Sequence, residues 1–123
     1  MSYLNNRPKT ILCDIDGTLV KHVTPIETSK PGFKMELLPG TLEKLEEWDR
    51  KGYNIILISG RREGARKETE IQLTEVGIIY DKLILGIGGG TRHLVNDTKP
   101  DNTETAFAYN IIRNKEGIKN LNI

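Results

Sequence analysis

Residues 10–18 read Thr-Ile-Leu-Cys-Asp-Ile-Asp-Gly-Thr, an apolar, β-branched run that stops at Asp16-Gly17. Such a run predicts a buried strand over 10–15 that ends in a turn, with acidic residues at its C-terminal end. Asp14 and Asp16 lie two positions apart, so they share a face of a continuing strand, and a turn at Gly17 lets both approach one centre.

Outward from that strand, Pro25, Pro31 and Pro39 with Gly32 and Gly40 make 20–40 an irregular excursion with room for one hairpin. Thr41 is placed to cap a helix, Leu42, Leu45 and Trp48 recur at helical spacing, and Gly52 is placed to end it. The aliphatic run Asn54–Ile58 predicts a second buried strand leading into Ser59-Gly60. Residues 62–76 read as a second helix, with Ala65, Thr69, Leu73 and Val76 facing inward and Gly77 stopping it. Short strands are expected at 82–85 and 93–95, on either side of the glycine-laden stretch 86–90. A last helix is expected from Pro100-Asp101-Asn102 to Gly117, with Ala106, Phe107, Asn110 and Ile111 on one face.

Alternating strands and helices predict an α/β fold with a mostly parallel central sheet, in which ligands bind beyond the carboxyl ends of the strands. Asp14, Asp16, Ser59 and Asp97 all fall at such ends.

A length of 123 residues suits one domain, and 37% hydrophobic with 28% charged residues excludes disordered and collagenous classes. The longest aliphatic run, Ile55–Ile58, is too short to span a membrane, and the opening MSYLNNRPKT lacks the apolar centre of a secretory leader, so a cytoplasmic location is expected. The single Cys13 excludes an intrachain disulfide and a thiolate-rich zinc site, so any metal must be held by oxygen. A net charge of +1 leaves no large basic footprint; nucleic acid is neither indicated nor excluded as a partner.

Two neighbouring carboxylates repel unless something neutralises them. Mg²⁺ does so with oxygen ligands; Asp97 is positioned to supply a third, and Asp101, four residues on, to hold the outer shell. With the cation polarising a phosphoryl group, Asp14 suits attack on phosphorus and Asp16 suits protonation of the leaving oxygen. The transferring oxygens need donors, for which the Ser59 hydroxyl, backbone N–H groups near Gly60 and a cation from Lys99, Arg92 or Arg61 are the candidates.

Asp14-Ile-Asp16-Gly17-Thr18 resembles the first motif of the haloacid dehalogenase (HAD) superfamily, and Ile58-Ser59-Gly60-Arg61 resembles its second. Val95-Asn-Asp97-Thr-Lys-Pro-Asp101 is similar to the fourth, with Asn96 where the family commonly has Gly or Asp. The resemblance implies a HAD-like Rossmannoid three-layer sandwich and a Mg²⁺-dependent phosphomonoester hydrolase working through an aspartyl phosphate. It assigns Asp14 as nucleophile, Asp16 as acid/base, Ser59 to the phosphate and Asp97 to the metal; the strand-end reading adds Gly60, Arg61 and Arg92 as candidates at the phosphate and Asp14, Asp16 and Asp101 at the metal. In the family the second aspartate binds the metal through its backbone carbonyl. The third-motif lysine is where this chain departs, since the expected place reads Ile87-Gly88. Lys99 is the choice for that charge here, with Arg92 and Lys82 as the other candidates.

Neither interval where the superfamily inserts a cap has room for one, so 1–123 is expected to be a single domain with a flap-like excursion at 19–40. An open site of that kind suits an exposed phosphate on a larger molecule, or a lid donated by another subunit; a small phosphorylated metabolite fits if the chain forms a homo-oligomer. Competing readings are weaker. A calcium loop counted from Asp14 would need Glu where Pro25 stands, and Gly86–Gly90 lacks the rest of a nucleotide-binding fingerprint. Trp48 and Cys13 read as core, and the cluster Arg61, Arg62, Arg66 and Lys67 as a solvated face. The functional rivals are a receiver-like phospho-accepting signalling domain, disfavoured because the third strand ends without an aspartate, and a HAD-like binding module without turnover.

Overall fold

The computed structural model describes residues 7–123, and the leader reading falls partly on residues outside that range. Three strands, β1 (Thr10–Asp14), β2 (Asn54–Ile58) and β3 (Lys82–Ile84), form one parallel sheet in the order β1-β2-β3. The α/β class and the parallel sheet are as expected. Helix α1 (Pro25–Thr28) is a single turn in the excursion, α2 (Thr41–Arg50) connects β1 to β2, and a 3₁₀ turn (Glu63–Ala65) leads into α3 (Arg66–Glu75) before β3. Successive crossovers of one hand along a 1-2-3 strand order put α2 and α3 on the same side of the sheet.

Burial follows that geometry. Ile11, Cys13, Ile55, Leu57 and Leu83 alternate along the strands on one face and share a core with Leu45 and Trp48 of α2 and Leu73 of α3. On the opposite face Leu12 and Ile84 stay 46% and 42% exposed. Trp48 is fully buried, as its place on the α2 stripe requires.

The entry to α2 corrects the capping expectation. Gly40, not Thr41, occupies the cap position, and Thr41 is buried with its hydroxyl donating to the Leu19 carbonyl at 2.7 Å and the Leu38 carbonyl at 3.0 Å. Gly40 has φ +79°, and a Cβ there would lie 2.4 Å from Lys119 Cα, so both the backbone angle and the close approach of the C-terminal segment require glycine. The excursion is closed by one antiparallel bridge, Val20 to Leu37, the minimal form of the expected hairpin.

Two expected elements are absent from the described residues. Residues 93–95 form no strand, and Val95 is 91% exposed; so short an apolar run is not held extended without a ladder partner. Residues 100–117 form turns and irregular chain instead of a helix. Asn102 sits at φ +65°, and the Asp101 carboxylate accepts from the Thr103 N–H at 3.0 Å and hydroxyl at 2.5 Å, a local turn that competes with helix initiation. Among the described residues no helix is long and apolar enough to cross a membrane.

Candidate active site

Parallel register builds the site. Asp14 pairs with Ile58 and Ile58 with Ile84, so the turns that follow β1 and β2 leave the sheet side by side at its carboxyl end. After β1 the Ile15 carbonyl accepts from the N–H groups of Thr18 and Leu19 at 3.2 and 2.9 Å, turning Asp16 out of the strand. After β2 the Ser59 N–H donates to the Ile84 carbonyl at 2.9 Å, and the Ser59 hydroxyl oxygen accepts from the Arg61 N–H at 3.0 Å. Ser59 is 2% exposed and its hydroxyl hydrogen is free to donate once more. A Cβ on Gly60 would meet the Gly88 carbonyl at 2.8 Å, so glycine lets the 59–61 turn pack against the 86–90 loop.

Arg61 joins the two turns. Its Nε and Nη2 donate to the two carboxylate oxygens of Asp16, each at 2.9 Å, the fork-to-fork geometry that fixes a carboxylate in direction as well as place. Its Nη1 donates to Thr69 Oγ1 at 3.2 Å and Gln72 Oε1 at 2.8 Å, both on α3. The guanidinium expected on the phosphate is committed, among the described residues, to Asp16 and to Thr69 and Gln72 of α3.

Asp14 is held differently. Burial pushes its carboxyl above the usual carboxylate range, Arg92 pulls it back, and the negative charge of Asp16 adds to the rise. Arg92 Nη2 lies 3.8 Å from Asp14 Oδ1, a half-exposed contact worth little on its own but the cation that the strand end has at hand. Beneath it the Cys13 thiol is pushed up to about 12, by burial first and then by Asp14, so it stays protonated and acts as core.

The remaining expected residues are not brought to the pair. Asp97 and Asp101 lie in the exposed segment 86–112, and among the described residues no three His, Cys, Asp or Glu side chains are close enough together to hold a metal ion. Lys99 uses its backbone N–H on the Thr103 carbonyl, and Lys82 opens β3; neither contacts Asp14 or Asp16 among the described residues, whereas Arg92 does contact Asp14. The cause is the missing strand at 93–95, which would have carried Asp97 to the sheet.

The residues present still fit Mg²⁺, which commonly takes one or two carboxylates and leaves other positions to water and substrate phosphate. Asp14 offers a carboxylate with only a weak cationic partner, and the Asp16 carbonyl accepts no hydrogen bond among the described residues. Because the folded-state value of Asp14 is raised, its proton stabilises the fold at low pH, and that contribution is lost as pH rises through the raised value. A cation would offset the loss only where Asp14 is ionised. Thermal melting should therefore show Mg²⁺ raising the midpoint by several degrees at pH 7.5 and by nothing measurable at pH 3.5. An equal rise at both pH values would contradict a site built on Asp14.

Sequence reasoning missed Thr69 and Gln72 as site-supporting groups. A signal existed: Thr69, Gln72 and Leu73 share one side of α3, and a buried polar residue on such a stripe needs a partner. It also missed Asn114, whose N–H donates to the Gly17 carbonyl at 3.1 Å while its side-chain oxygen accepts from the His22 N–H at 2.7 Å. Only the folded chain brings those residues together.

Residues 8–103 match the family model of the polynucleotide kinase PNKP phosphatase domain, a HAD family. Among solved structures the chain is similar to one in the Pnkp1/Rnl/Hen1 RNA repair complex, with 32% identity, TM-score 0.55, and coverage of 77% of this chain and 29% of that one. It also resembles D,D-heptose 1,7-bisphosphate phosphatase from B. bronchiseptica, complexed with magnesium and phosphate, at 17% identity and TM-score 0.47 over 66% of this chain and 51% of that one. The chain thus spans less than a third of the first and about half of the second. No curated protein matches it by sequence. With most of its length inside the family model and both acidic motif residues at the end of the first strand, the chain belongs to the HAD family of polynucleotide kinase phosphatase domains.

Proposed function

We propose that the chain hydrolyses a phosphomonoester through an aspartyl phosphate on Asp14, with Mg²⁺ as cofactor. The observation that carries this reading is the side-by-side exit of the 14–17 and 59–61 turns from one end of the sheet, locked by the Arg61–Asp16 pair. An Asp14 carboxylate oxygen attacks phosphorus and the bond to the leaving oxygen breaks; Asp16, entering the step protonated on one oxygen with Arg61 kept on the other, gives that proton to the departing alkoxide. Water then attacks the same phosphorus, Asp16 takes its proton, and free phosphate leaves with Asp14 restored. The Asp14 carboxylate and the Asp16 carbonyl would hold Mg²⁺, which would supply charge neutralisation at the phosphoryl oxygens. The Ser59 hydroxyl, the backbone around Gly60 and the Arg92 guanidinium hold those oxygens.

Asp97 enters the proposal through β1. Addition of 93–97 to the edge of β1 away from β2 would bring Asp97 beside Asp14 and Asp101 behind it, at the cost of ordering an exposed segment. Substrate class follows from openness and from family. The segments 19–40 and 62–81 carry only α1, a single bridge and α3 with its leading turn, which supports a capless single domain that accepts a bulky substrate. The family model is named for a polynucleotide kinase, and the relative at 32% identity comes from an RNA repair complex, which supports a terminal phosphate on a polynucleotide. One buried free thiol suits a cytoplasmic setting.

The test is phosphate release from a terminally phosphorylated oligonucleotide and from a small aryl phosphate, each with Mg²⁺ and with EDTA. Release from both that stops with EDTA, with kcat/KM at least about 10-fold higher for the oligonucleotide, is expected. Phosphoryl groups retained on the protein without release would instead mark a phospho-accepting signalling domain. No reaction with any phosphomonoester would mark a binding module.

A further inference from the structure

We propose that Gln72 is a positioning residue that ties the flap helix α1 to the Arg61–Asp16 pair, an inference that rests on the reading of Asp16 as the proton-transfer group. Gln72 is buried on α3, 7% exposed, where an unpaired amide would be costly. Both ends of its amide are used. Its Oε1 accepts from Arg61 Nη1 at 2.8 Å, and its Nε2 donates to the Thr28 carbonyl, the last residue of α1, at 3.0 Å. Arg61 in turn grips both oxygens of Asp16.

A continuous path of hydrogen bonds therefore runs from the flap through one amide and one guanidinium to the carboxylate at the strand end. Its members span a wide stretch of sequence, so the path exists only in the folded chain. A guanidinium held by two acceptors on α3 cannot rotate away from Asp16 without breaking its hydrogen bond to Gln72 Oε1 as well. Displacement of the flap pulls on the Thr28 carbonyl and so on the same amide. The flap has no buried residue of its own in α1, which leaves this bond as an anchor between that helix and α3.

Two variants separate the halves of the path. Gln72→Met fills the space and removes both bonds. Gln72→Glu keeps an acceptor for Arg61 but turns an oxygen toward the Thr28 carbonyl, so it keeps the guanidinium in place and releases the flap. With Mg²⁺ and an aryl phosphate, Gln72→Met should lower kcat about 10-fold while KM moves less than about twofold. Gln72→Glu should restore kcat to within about threefold of the parent and raise KM about threefold.

The Arg61 Nε–H resonance in ¹⁵N NMR spectra supplies a readout independent of turnover. It should be sharp and slowly exchanging in the parent and in Gln72→Glu, and averaged or lost in Gln72→Met. Loss of kcat in both variants alike would reduce Gln72 to packing and overturn the proposal, as would an unchanged Arg61 resonance in Gln72→Met. A parent protein that releases no phosphate would end the phosphatase reading, while the resonance would still decide whether Gln72 holds Arg61.

Discussion

Asp14→Asn lowers Mg²⁺-dependent phosphate release by at least about 10³-fold, because the amide offers no charged oxygen to attack phosphorus. The substitution is nearly isosteric, and Asp14 is a carboxylate that the fold holds above its ordinary range, chiefly by burial. Removing that charge relieves desolvation and the repulsion from Asp16, so the variant should melt no lower than the parent near neutral pH, and its melting point should no longer respond to Mg²⁺. The combination matters: lost turnover with intact melting separates a chemical role from a structural one. Turnover within threefold of the parent would remove Asp14 from the mechanism.

Arg61→Leu is expected to damage both activity and stability. The guanidinium is 13% exposed and its partner Asp16 is 20% exposed, so truncation leaves a largely desolvated carboxylate without a counter-charge. It also strips a donor from Thr69, which is fully buried, and from Gln72. Removing one partner of such a pair costs about 3 kcal/mol, at the low end of the range for buried pairs because some water still reaches this one. Phosphate release should fall about 100-fold as Asp16 loses its fixed direction. Arg61→Lys keeps the charge and loses the fork, so it should fall between the two. Urea unfolding and initial rates on the three proteins check the order. Equal stability and equal rates for Arg61→Leu would show that the pair contributes nothing.

The two halves of the chain differ in how far their structure was legible. From Thr10 to Ile84 the elements follow from apolar runs closed by Gly or polar punctuation: β1, α2, β2, α3 and β3 all lie within a few residues of the pattern that predicts them. Such elements carry their own signal because each buries a face in the common core. Between Gly86 and Ile112 that condition fails, and beyond Ile112 only Ile118 is buried in the core among the described residues. Leu94, Val95, Phe107, Tyr109 and Ile112 are all more than half exposed, so periodic apolar residues there have nothing to pack on and the pattern does not become structure.

The site divides along the same line. Asp14, Asp16, Ser59 and Arg61 stand together because two parallel strands end together, which short motifs at strand ends do announce. The commitment of Arg61 to Asp16, and the part played by Thr69 and Gln72, depend on where α3 lies against the sheet, which no local pattern encodes. Arg92 lies 3.8 Å from Asp14, whereas Lys99 makes no contact with it among the described residues.

The most direct measurement is a rapid acid quench of the chain mixed with Mg²⁺ and a ³²P-labelled phosphomonoester, followed by peptide mapping. A covalent label that is released by hydroxylamine, forms before free phosphate, maps to the peptide bearing Asp14 and is absent from Asp14→Asn is the predicted result. Free phosphate that forms at full rate with no label on the chain at any time would contradict it.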